Sequence, residues 1–126
     1  MPVNEPFGWI CIMLGFIIGA GIGTGFHREH FLGGYGSLRR RMIRLGHIAL
    51  IALGFLNILF AYSTTFHDYL NQWQTCASWT FMIGAVAMPA CCFLTAWKPS
   101  FRHLFVIPVL SLIVGVFSIF MGVFLR

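Results

Sequence analysis

Polar residues interrupt this chain rarely, and the gaps between them mark out four apolar runs. These extend over about Phe7 to Phe26, Met42 to Phe66, Cys76 to Trp97 and His103 to Leu125. A helix that crosses the hydrocarbon core of a bilayer needs about 20 mostly apolar residues, and each run has that length. The pattern predicts an all-α integral membrane protein with four transmembrane helices. Short connections favour an up-and-down antiparallel bundle. Outside the runs lie a six-residue N-terminal tail, a basic first loop of about fifteen residues and two short connections, so residues 1–126 read as a single four-helix membrane domain. The first run lacks the basic leader and small-residue cleavage site of a signal peptide, and is expected to be a retained helix.

Composition strengthens this reading. The chain is 59% hydrophobic and 9% charged, with a mean hydropathy of +0.86, whereas a soluble domain is about a quarter charged. The net charge of +5 is unevenly placed. Arg28, Arg39, Arg40, Arg41 and Arg44 fall in or beside the first loop, Lys98 and Arg102 fall in the third, and the second loop, His67 to Thr75, has no Lys or Arg. By the positive-inside rule the first and third loops are expected to face the cytoplasm and both termini the outside, as in an inner or cytoplasmic membrane. Only Arg126 opposes that assignment. Beside membrane spans, such a basic cluster sets topology and attracts anionic lipid; nucleic acid is not an expected partner, because almost no exposed basic surface remains.

Within the runs, small residues recur at helical spacing. Gly15, Gly19 and Gly23, Gly21 and Gly25, and Ser111, Gly115, Ser118 and Gly122 form stripes that let helices approach closely in lipid. Such a groove can also receive a flat prosthetic group or a lipid chain. Asn57 is a polar side chain within a span and requires a hydrogen-bond partner, in this chain or in a neighbour. Pro89 is expected to kink the third helix, and Trp9, Trp73, Trp79 and Trp97 suit interfacial belts. The glycines of Gly33-Gly34-Tyr35-Gly36 break any helix through the first loop. Adjacent Cys91 and Cys92 read as small apolar residues. An external disulfide between Cys11 and Cys76 is open if that side is oxidising.

Four of the five histidines, His27, His30, His47 and His103, fall at the presumed cytoplasmic face. Neutral imidazole is a good iron ligand, and two histidines from different helices of a bundle can grip haem. His47 and His103 begin spans at matched depth, and Arg39, Arg40, Arg44 and Arg102 stand near enough to pair with propionates. Gly54 lies within about 20° of His47 on the helical wheel, with Ile58 and Ala61 continuing the stripe, so bulk is relieved below the histidine. In layout the chain resembles small four-helix membrane cytochromes of the b type, an architectural likeness that implies haem held by histidines near helix ends.

Four readings of these histidines are open. They are interfacial residues bonding headgroups or loop carbonyls; bis-histidine ligands of haem b; a zinc site of His27, Glu29 and His30; or a proton-handling or quinone-contacting surface. Met88 is a further possible axial ligand, with space filling as the plainer role. Catalysis by this chain alone is not expected, since Glu5, Glu29 and Asp68 are its only acids and no nucleophile stands beside a base. Coupled transport lacks intramembrane carboxylates for the same reason. Two functions remain: an electron-transfer subunit holding haem b between His47 and His103 within a larger respiratory or photosynthetic complex, in contact with a quinone or redox protein, or a cofactor-free structural or assembly subunit that packs against other membrane subunits and lipids.

Overall fold

The computed structural model describes residues 3–67 and 71–125, and every regular element in them is helical. Helix α1 spans Asn4–Gly25, α2 Leu38–Phe66, α3 Asn71–Trp97 and α4 Val106–Phe124. A 3-10 turn, Phe31–Gly33, interrupts the first loop, and a 3-10 segment, Pro99–Phe105, leads into α4. Four helices are long and apolar enough to cross a membrane. Asp68 and Arg126, which entered the charge argument, lie outside the described residues.

The helices begin earlier than the apolar runs because backbone hydrogen bonding continues through polar side chains. Helix α2 starts at Leu38 rather than Met42, since extended Ser37 caps it: its Oγ accepts from the Arg40 N–H at 3.1 Å. The same hydroxyl donates to the Leu32 carbonyl at 2.6 Å. That second bond holds Leu32 at φ 54°, a left-handed conformation that costs a residue with a Cβ about 1 to 2 kcal/mol. Gly33 and Gly34, at φ 87° and 92°, carry the rest of the reversal without that cost. The last span shows the opposite displacement, with His103 in the 3-10 segment and α-helix only from Val106. Pro108 is tolerated in the first turn of α4, where backbone donors have no intrahelical acceptor. Helix α3 continues through Pro89 as one element.

Packing follows chain order: α1 lies along α2, α2 along α3 and α3 along α4, while α1 meets α3 over a short stretch. Helix α4 has no extended contact with α1 or α2, so the four helices form an open row. Burial agrees. Of the most apolar 18-residue stretch of each span, 44% is buried within the protein in α3 and 17% in the last span. The core is centred on Phe60 of α2 and Ala77 and Phe81 of α3, with Leu56, Leu112 and Ile119 around it. The Phe60 and Phe81 rings meet edge to face at 5.4 Å.

Glycines set the helix separations. A Cβ on Gly8 would stand 2.5 Å from the Gly54 carbonyl oxygen, and one on Gly54 2.7 Å from that of Gly8, so α1 and α2 touch backbone to backbone there. Gly46 receives the Phe93 ring, Gly84 receives Leu112, and Gly115 receives Phe81 and Thr80. The small-residue stripes are thus largely consumed inside the chain. Gly21 and Gly23 of α1 are exceptions and face open space.

Candidate functional site

His47 lies on the α2 face that carries Gly54 and Ile58, as the helical wheel predicts, and that face is turned to α1. A Cβ on Gly19 would stand 3.0 Å from His47 Cδ2 and 3.4 Å from Nε2, so the imidazole edge rests on the α1 backbone. Its Nδ1 is buried and has no hydrogen-bond partner. His103 is exposed in the 3-10 segment Pro99–Phe105, which packs on α3 and α4. His47 thus packs against α1, whereas the segment that carries His103 packs mainly on α3 and α4.

The arginines divide into two groups. Arg39 Nε donates to the Ala96 carbonyl at 3.1 Å, tying the start of α2 to the end of α3. Arg40 is only 4% exposed. It donates to the Phe26 carbonyl at 3.1 Å and the Arg28 carbonyl at 3.5 Å, while its guanidinium lies 4.4 Å from the Phe26 ring centre and 3.9 Å from that of Tyr35. Phe26 is the C-cap of α1, where carbonyls carry partial negative charge. Arg40 thus clamps the end of α1 to the start of α2. Arg44 and Arg102 are exposed.

Most of the residues expected around a haem have partners inside the chain. Gly54 is filled by Gly8, Arg39 and Arg40 are engaged with carbonyls, and His103 is exposed in the 3-10 segment. His27, Glu29 and His30 are all exposed, and among the described residues no group of three or more His, Cys, Asp or Glu side chains is placed to hold a metal. Met88 is half-buried in α3. All four cysteines are free thiols, and Cys11 is turned toward Gly54 of α2, which accounts for the missing bond to Cys76.

A polar cluster that the sequence reading did not assemble lies at the other end of the helices. Asn57 needs a partner and finds it in Asn4, whose Nδ2 donates to Asn57 Oδ1 at 2.8 Å and to the Ser78 carbonyl at 3.3 Å. Ser78 Oγ donates to Asn4 Oδ1 at 2.5 Å. Asn57 Nδ2 donates within its helix to the Leu53 carbonyl at 2.9 Å and across to the Phe81 carbonyl at 3.4 Å. Asn4 and Asn57 are fully buried. One connected network therefore fixes α1, α2 and α3 at the level of the first turn of α1.

Among the described residues, one side-chain hydrogen bond joins α4 to the row, from Ser111 Oγ to the Thr80 carbonyl at 2.6 Å. At the opposite end, Phe26, Tyr35, Arg40, Arg41 and Arg44 line a cleft of about 230 Å³. Comparison of the chain with family models, with curated protein sequences and with solved structures gave no match.

Proposed function

We propose that this chain is a cofactor-free structural subunit of a membrane assembly, its four helices crossing the bilayer in alternating directions with the arginine-rich loop on the cytoplasmic side. The observation that carries the reading is the commitment of its polar groups. Asn4, Asn57, Ser78, Arg39 and Arg40 each make a hydrogen bond that joins one helix to another. A redox or catalytic centre needs groups turned toward a ligand; these five are turned toward the chain itself. The alternating directions are supported by contact pairs such as Gly8 with Ile58 and Gly15 with Ile51.

The exterior suits a bilayer. Ile10, Met13, Phe16 and Ile17 on α1 and Ile113, Val116, Phe117 and Phe120 on α4 face outward. In water that surface drives aggregation, and in hydrocarbon it costs nothing. Haem ligation by His47 and His103 is the weaker reading, because Gly54, Arg39 and Arg40, which would make room for the macrocycle and hold its propionates, are already engaged within the chain.

The experiment compares the wild-type chain with a His47→Ala, His103→Ala double variant, each solubilised in mild detergent from its native membrane and run on a native gel. The proposed role predicts that both stay in the membrane pellet after alkaline carbonate and migrate in the same assembly. Loss of the assembly in the double variant, with the chain still membrane-bound, would contradict it.

A further inference from the structure

The geometry points to the cleft between the end of α1 and the start of α2 as a binding site for the phosphate of an anionic phospholipid headgroup. Three arginines line it, Arg40, Arg41 and Arg44, with Tyr35 and Phe26 completing the wall. On α2 Arg44 follows Arg41 by three residues and Arg40 by four, so it shares a helix face with both. None has a carboxylate partner among the described residues; Arg40 is satisfied by neutral carbonyls and aromatic faces, which leave its charge in place. Arg40 is also buried, so the positive charge at the cleft floor is fixed in position rather than waving in solvent. Arg41 and Arg44 are exposed and free to close on a ligand.

Size and depth narrow the ligand. At about 230 Å³ the cleft is smaller than the roughly 300 to 1,000 Å³ of pockets that enclose a drug-sized molecule. It suits one phosphate group. Its walls come from the last residue of one apolar helix and the first turns of the next, the level at which headgroups lie if these helices span a bilayer. Arginine forks match phosphate oxygens two at a time, so the pair Arg41 and Arg44 supplies direct bonds over the field set by Arg40.

The site rests on the bilayer placement proposed above, and its failure is separable from that of the placement, which carbonate extraction tests alone. Full-length protein in neutral detergent is titrated with dihexanoyl-phosphatidylglycerol, dihexanoyl-phosphatidylcholine or inorganic phosphate, and binding of the first ligand is read by native mass spectrometry. Each arginine near an anionic headgroup contributes about fivefold in affinity, so Arg41→Gln with Arg44→Gln is expected to weaken phosphatidylglycerol binding by about 25-fold. The Lys98→Gln, Arg102→Gln pair removes the same charge from an exposed segment elsewhere, and should weaken it by less than about threefold. Unchanged thermal unfolding of both double variants checks that the fold is intact. Equal losses in the two pairs, or equal binding of the zwitterionic lipid, would overturn the site. Displacement of phosphatidylglycerol by equimolar inorganic phosphate would overturn the lipid assignment and leave a free phosphate as the ligand.

Discussion

Removing the carboxamide of Asn57 tests the three-helix network most sharply. In Asn57→Ala the Nδ2 of fully buried Asn4 loses its acceptor at 2.8 Å and keeps only the longer bond to the Ser78 carbonyl, while Oδ1 still accepts from Ser78 Oγ. An interhelical hydrogen bond within a membrane protein is worth about 0.6 kcal/mol on average and at most about 1.7, while a buried group left half-satisfied costs about 1 to 3 kcal/mol. The second effect dominates, so the variant should lose about 2 kcal/mol. Asn4→Ala should lose as much or more, since it also strands the Ser78 hydroxyl. The double variant removes donor and acceptor together and should cost well below the sum, giving a coupling of about 1 to 2 kcal/mol. Equilibrium unfolding in mixed micelles, with denaturing detergent as the variable, measures all three. Ser118→Ala serves as the control, because that hydroxyl bonds only the Val114 carbonyl of its own helix. A coupling below about 0.3 kcal/mol, the noise of additive sites, would refute the reasoning.

Three further outcomes follow from the same contacts. Arg40→Ala removes a charged donor from two carbonyls and a cation from two aromatic faces, and should destabilise the protein by about 2 to 3 kcal/mol; trypsin should then cut the 26–37 loop faster, and unchanged cleavage would count against the clamp. Gly115→Ala should cost about 1 to 3 kcal/mol, because the new Cβ meets fully buried Phe81 at 2.6 Å, whereas Gly21→Ala, with nothing nearby, should change thermal stability by under about 0.5 kcal/mol. Non-reducing mass mapping should find Cys11 and Cys76 both free; a linked peptide pair would contradict the orientation of Cys11 toward α2.

The spans were legible because an apolar run of membrane length has one dominant meaning, and the shared face of His47, Gly54 and Ile58 was legible from helical geometry alone. What that face meets was not, since a glycine makes room for a macrocycle and for a neighbouring helix alike. Asn57 announced its need of a partner. Asn4 was overlooked because it sits in a polar tail that hydropathy leaves outside the first span, yet it is the first residue of α1 and fully buried. The arginines were recognised as a cluster, but only the folded loop separates buried Arg40 from exposed Arg41 and Arg44. Short connections place consecutive helices side by side and leave open whether the fourth returns to the first. The displacement of His103 into the 3-10 segment was likewise hidden by an apolar pattern that continues unbroken into α4.

The central claim is that the polar groups of this chain hold its own helices and no prosthetic group. It is tested most directly by the oxidised and dithionite-reduced absorbance spectra of protein purified after expression with ample haem. The account predicts no Soret band and no difference spectrum. A low-spin haem spectrum at about one haem per chain, lost in both His47→Ala and His103→Ala, would contradict it.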